Sequence, residues 1–237
     1  MHICIFGDSW GCGEWGNDPI TDQYLNTHRG LEQYLLEKGH DVTNLSKPSS
    51  SMLKAHSILD YALSNPEYKT DSIDLYFWFK TDPLRNFKPP IGQGYEHYFT
   101  SKGKMTVEDL IVTKDEQTDI SYKKLNELGI TIHSIGGVSK LNLDLMNKYS
   151  NLIPYIPSMI EFLIPDYEHP ILCPSEWFNH VNDRQFDLES LDKLLDCKRR
   201  FGTLRQKHHT LFWPDGAHPN RYGHKILFEK ICKDFNL

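Results

Sequence analysis

The chain alternates short apolar runs with stretches whose apolar residues recur every three or four positions. The first run, Ile3-Cys4-Ile5-Phe6, stops abruptly at Gly7. A short continuous run closed by a turn residue reads as a buried strand. Asp41 to Leu45, Ile73 to Phe79 and Ile130 to Ile135 repeat the pattern. The third of these runs is rich in β-formers, with Tyr76, Phe77, Trp78 and Phe79 in succession. Helical spacing lies between the runs. Leu31, Tyr34 and Leu35 predict a helix over about 27–38, stopped by Gly39. A second helix is expected over about 52–63, capped by serine and ended by Asn65-Pro66. Others are expected over about 118–128 and about 220–234, the last burying Ile226 or Leu227, Ile231 and Phe235. This alternation predicts an α/β fold, a mostly parallel sheet of about five strands with helices on both faces.

The remaining stretches are less regular. Glu14 to Pro19 is polar and turn-rich and reads as a loop. Residues 86 to about 117 hold Pro89-Pro90, three glycines, Tyr95, His97, Tyr98 and Phe99, without strong periodicity. So long a connection is usually functional or mobile, so a lid or substrate-shaping insertion is expected there. A helix is expected near 140–149, followed by prolines at 154, 157, 165, 170 and 174. Ile171-Leu172-Cys173 fits a short fifth strand, and 187–207 a long charged helix with Leu188, Leu191, Leu194 and Leu195 facing inward. Thr210 to Trp213 leads into the loop around Asp215 and His218. No linker, repeat or low-complexity segment stands out, so a single domain over 1–237 is expected.

Composition narrows the function classes. The chain has 237 residues, 39% hydrophobic and 24% charged, within the range of globular proteins. A net charge of −6 gives no support for nucleic-acid binding, which usually needs a basic face. No apolar run reaches the roughly 18 residues that a membrane-spanning helix needs. The first residues enter a strand directly, so no secretory leader and a cytoplasmic location are expected. The five cysteines form no CxxC pair and read as reduced, buried thiols.

Two short segments carry candidate chemistry. Gly7-Asp8-Ser9 follows the first predicted strand, with Gly11 and Gly13 close behind. In open α/β sheets, ligands bind outside the carboxyl ends of the strands. Near the other end lies Pro214-Asp215-Gly216-Ala217-His218-Pro219-Asn220. An acid three residues ahead of a histidine can touch it across a turn. Serine nucleophile, histidine base and orienting aspartate are the parts of an acyl-transfer triad. Taken singly, Ser9 reads as a helix cap and His218 as a surface histidine. Together, in this order, they read as catalytic.

These segments resemble the first and last sequence blocks of the SGNH/GDSL hydrolases. The resemblance implies a flavodoxin-like three-layer α/β/α domain and hydrolysis of esters. It makes Ser9 the nucleophile, His218 the base and Asp215 the residue that orients it. It also implies an oxyanion hole formed by the backbone N–H of Ser9 and by two middle blocks. The second block offers a backbone N–H about five residues after an asparagine; counting from Asn44 reaches Ser49. The third block, Gly-x-Asn-Asp in the family, matches Phe79, Lys80, Thr81 and Asp82, so the Thr81 hydroxyl takes the asparagine's place. Trp10 and Asp82 are expected to contact substrate, a small-molecule or carbohydrate ester. The alternative is a non-catalytic domain of the same fold that binds a carbohydrate or a partner.

Three rival motifs fail. Gly7-x-x-x-Gly11-x-Gly13 lacks a helix directly behind it and an acid at the end of the second strand, as a dinucleotide site requires. Ser51-x-x-Lys54 has no accompanying S-D-N or K-T-G. His208-His209 face apart on a strand and have no ligand set nearby in sequence. Neither a metal nor a cofactor is expected.

Overall fold

The computed structural model describes residues 1–18, 20–87, 106–137, 139–165, 209–212 and 218–237. Its strands are β1 (His2–Gly7), β2 (Glu14–Asn17), β3 (Tyr24–His28), β4 (Asp41–Asn44), β5 (Leu75–Lys80), β6 (Ile132–Gly136) and β7 (Leu152–Ile156). Its helices, in chain order, are α1 (Ser9–Cys12), α2 (Leu31–Glu37), α3 (Met52–Ser64), α4 (Val107–Glu127), α5 (Leu143–Met146), α6 (Met159–Leu163), α7 (His209–Phe212) and α8 (Arg221–Phe235).

Five strands form one parallel sheet in the order β4-β1-β5-β6-β7, and β2 and β3 form a separate antiparallel hairpin. Numbered within the sheet, the order is 2-1-3-4-5, the flavodoxin-like form of the doubly wound fold. The strand period of two explains the layers. Ile3, Ile5, Phe77, Phe79 and Ile135 point to one face, where they pack on Leu31 and Leu35 of α2 and Leu227 and Ile231 of α8. Cys4, Phe6, Tyr76, Trp78 and Ile132 point to the other, against Met52, Ala55 and Leu59 of α3 and Tyr122 and Leu125 of α4. Each large apolar side chain so buried stabilises by roughly 1.5–3 kcal/mol. Helices on both faces of a parallel sheet make a three-layer α/β/α architecture.

Several sequence expectations need correction. The expected loop at Glu14 to Pro19 contains β2, whose partner β3 takes Tyr24–His28. The first helix therefore starts at Leu31 behind Gly30, not near residue 27. The last third of the expected insertion is helix. A capping box between Thr106 and Asp109 opens α4, which runs unbroken to Glu127. The helix near 140–149 shrinks to Leu143–Met146. The fifth strand of the sheet is Leu152–Ile156, with Pro154 inside it. Proline removes a ladder donor and is confined to edges. β7 is the edge of the sheet, and its pairing with β6 shifts register between Ser134 and Ile135. Residues 210–212 belong to α7. In α8 the inward residue is Leu227, fully buried, while Ile226 is exposed. The strand expected at 171–173, the helix expected over 187–207 and the aromatic part of the insertion, 95–99, lie outside the described residues.

Candidate active site

The nucleophile position is built by the end of β1. Gly7 has φ 139°, and a Cβ there would lie 2.3 Å from the Phe79 carbonyl oxygen of β5. Only glycine lets the two strands run this close and then turn. Asp8 follows as the N-cap of α1. Its carboxylate accepts a hydrogen bond from the Trp10 N–H at 3.0 Å. Ser9 is thereby the first residue of α1, buried at the carboxyl end of β1. Its own N–H belongs to the first turn, where no helical carbonyl can receive it.

His218 arrives from the opposite end of the chain. Two residues later, Asn220 caps α8, its side chain accepting from the N–H groups of Tyr222 and Gly223 at 3.0 and 3.1 Å. Asn220 is also tied to α7, its backbone N–H donating to the Leu211 carbonyl at 2.7 Å and its amide to the Thr210 carbonyl at 2.8 Å. The segment before α8 is thus anchored to α7 by two hydrogen bonds. It brings His218 Nε2 to 2.7 Å from Ser9 Oγ. In the tautomer with a bare Nε2, the serine hydroxyl donates to the ring. This geometry lets histidine take the serine proton. Asp215, the expected orienting acid, lies outside the described residues.

Polar groups support the nucleophile loop from beneath. Asp8 is fully buried, and the Arg85 guanidinium reaches its carboxylate at 3.4 Å. The same Nη1 donates to the Thr81 hydroxyl at 3.0 Å. Arginine can only donate, so the Thr81 oxygen accepts there and its own proton is left to be given elsewhere. Gly7 pairs with Phe79 across the sheet. Ser9 and Thr81 each lie two residues beyond that pair, so they leave neighbouring strands at the same level. Lys80 is buried too, and its ammonium donates to the Ser139 hydroxyl at 3.1 Å and the Lys140 carbonyl at 3.0 Å. Cys12 sits close to Ser9 in sequence but is no rival nucleophile. Burial first, then the Asp8 charge, pushes its thiol up to about 12. Only a thiolate attacks efficiently.

Ser49 occupies a turn joined to this loop. The Lys47 N–H donates to the Gly7 carbonyl at 3.1 Å, and the Ser50 N–H closes the turn onto the Lys47 carbonyl at 3.1 Å. Pro48 and Ser49 are its central residues, and Ser49 has φ 56°. Proline followed by a residue of positive φ is the type II pattern. Trp10 falls elsewhere than expected. It is 2% exposed, packed against Phe212 in the core, so it supports the floor of the site and presents no open face to a substrate. Asp82 is likewise buried, at 2% exposure.

Two residues around the site, one against the Ser9–His218 pair and one against Asp8 and Thr81, carry no mark in the sequence. Trp15, from the hairpin, donates its indole N–H to the Ser9 carbonyl at 3.1 Å and sets its ring 6.1 Å from that of His218. Arg85 is the other. The tryptophan hides in a polar, turn-like segment, and the arginine follows Asp82-Pro83 as if in a plain turn. Only the fold brings them in.

No family model matches the chain, and no curated protein matches it in sequence. Among solved structures it is similar to TesA, at 13% identity and a TM-score of 0.41 over 98% of this chain and 97% of that one. It is also similar to the psychrotrophic esterase EstA from Pseudoalteromonas sp., at 11% identity and a TM-score of 0.42 over 99% and 96%. A third likeness is to Axe2, an acetyl xylan esterase from Geobacillus stearothermophilus, at 13% identity and a TM-score of 0.37 over 98% and 93%.

Proposed function

We propose that this chain is a serine hydrolase of the SGNH/GDSL type, cleaving an ester or O-acyl group through an acyl-enzyme on Ser9. The observation that carries the reading is the 2.7 Å approach of His218 Nε2 to Ser9 Oγ. That approach joins two segments which already resemble the family's first and last blocks. In the reaction, His218 takes the Ser9 proton as Oγ attacks the substrate carbonyl. The carbonyl oxygen becomes an oxyanion in a tetrahedral intermediate. Three donors would receive it: the N–H of Ser9, the N–H of Ser49 and the hydroxyl of Thr81. Protonated His218 then gives its proton to the leaving alkoxide, and the acyl group stays on Ser9. Water, deprotonated by the same histidine, releases the acid and restores the serine. Splitting one difficult step into two easier ones is the gain of the covalent route. Asp215 would hold the imidazole in the tautomer with a bare Nε2 and stabilise the imidazolium that forms.

Thr81 stands where the family has asparagine, and Arg85 supports the substitution. By donating to the threonine oxygen it fills one acceptor position and leaves the hydroxyl proton to be given, which is what an oxyanion needs. The substrate class is a small-molecule or carbohydrate ester. The test is hydrolysis of p-nitrophenyl acetate by the purified protein. Turnover should fall to background in Ser9→Ala and nearly so in His218→Ala. Hydrolysis that survives in Ser9→Ala would sink the reading and leave the fold as a binding domain.

A further inference from the structure

Ser9 and His218 come from loops 209 residues apart, and something has to fix the distance between them. Glu14 lies five residues after Ser9, and Arg221 lies three after His218. The Arg221 backbone N–H donates to Glu14 Oε2 at 2.6 Å. Its side chain donates from Nε to both carboxylate oxygens, at 3.3 and 3.2 Å, and from Nη2 to Oε1 at 2.8 Å. The Thr27 hydroxyl of β3 adds a further donor to Oε1 at 3.0 Å. The next residue, Trp15, donates to the Ser9 carbonyl. The path from His218 through Arg221, Glu14 and Trp15 to Ser9 therefore closes a ring with the Ser9–His218 hydrogen bond.

We infer that Glu14 and Arg221 are positioning residues, a clasp that holds the His218 loop at hydrogen-bonding distance from Ser9. The inference rests on the hydrolase reading of those two residues. The clasp differs from a surface ion pair in its asymmetry. The Glu14 side chain is 5% exposed, whereas that of Arg221 is 45% exposed. Burial pushes the Glu14 carboxyl up, but the bonds from Arg221 and Thr27 outweigh it and hold the group below its ordinary range. The clasp therefore stays charged wherever a histidine can serve as base. Misplacing a reacting group by about 1 Å can cost on the order of 100-fold in rate.

The exposed half makes the inference testable by chemical rescue. In Arg221→Ala, a guanidinium ion from solution can reach the carboxylate that the side chain has left. Two rates should be measured: covalent labelling of Ser9 by a fluorophosphonate, and kcat and KM for p-nitrophenyl acetate. Arg221→Ala should slow labelling about 10- to 100-fold and lower kcat, with KM little changed because the clasp touches no substrate. Millimolar guanidinium chloride should restore several-fold of the loss, while sodium chloride at equal ionic strength should not. Glu14→Gln should show a similar loss that guanidinium does not repair, since the anion is gone. Wild-type rates in Arg221→Ala, or a loss that follows the melting temperature and ignores guanidinium, would overturn the clasp and leave the hydrolase standing. Failure of the wild-type protein to label at Ser9 would bring down both.

Discussion

At Thr81 one hydrogen bond decides what a hydroxyl can do. Arg85 donates to the oxygen, so the threonine proton stays available to be given to a substrate. Thr81→Val should therefore lower kcat about 100-fold or more with KM similar, because an oxyanion donor acts chiefly in the transition state. Thr81→Ser should keep most of the activity, and an unaltered kcat in the valine variant would assign Thr81 to the turn alone. Ser49 makes the opposite forecast. Its proposed donor is a backbone N–H held at φ 56°, a conformation glycine adopts without strain. Ser49→Gly should leave p-nitrophenyl acetate turnover within a few-fold of wild type, whereas a required side chain would show as a large loss. The sequence makes Ser9 and His218 legible because each sits in a short motif with a chemical reason. Trp15 and Arg85 are not legible, since a lone tryptophan or arginine beside glycines and prolines carries no periodic signal. The place of Trp10 next to the nucleophile suggests substrate contact; in the structure the first turn of α1 packs its ring in the core.

Among the elements, the hairpin β2–β3 ties the site's two loops together through Glu14. The fold predicts an acid-linked loss of stability there. The Glu14 carboxyl titrates lower in the folded chain than its ordinary 4.5, so the unfolded chain takes up its proton first as pH falls. The stabilisation is complete above the ordinary value and drains away as pH drops through the lower, folded one. Glu14→Gln should cost about 1.5–3 kcal/mol near neutral pH, the scale of hydrogen bonds to a charged group. In denaturant melts that difference should shrink below about pH 4; a gap that stays constant with pH would contradict the role of the charge. Four of the five sheet strands are readable from pattern: β1, β4, β5 and β6 all fall on expected runs. β7 is not, because Pro154 and exposed neighbours disguise an edge strand that needs only one ladder. The front half of α4 was missed although Thr106-x-x-Asp109 is a capping signal that precedes its apolar positions. The hairpin was missed because Gly16 and Asn17 are turn residues by composition and strand residues only when paired.

For the whole molecule, the sheet's job is to bring the carboxyl ends of β1 and β5 to one crevice and to let α8 close over one face. Leu227 is the buried anchor of that helix, wholly excluded from water. Leu227→Ala should destabilise by about 2–5 kcal/mol in chemical denaturation, as core truncations do. A cost under about 1 kcal/mol would mean that α8 is held by its cap and clasp, not by its apolar face. The parallel architecture was legible because strand and helix periods alternate along the chain. The meeting of its first residues with its last is suggested by triad chemistry and by resemblance, as no local pattern encodes a contact across 209 residues. That contact is the centre of the account, and one measurement addresses it directly. The protein is treated with a fluorophosphonate over a range of pH, and the adduct is located by peptide mass mapping. The account predicts one adduct, on Ser9, absent in Ser9→Ala and nearly absent in His218→Ala. No adduct at any pH, or an adduct on Ser9 that forms equally fast without His218, would contradict it.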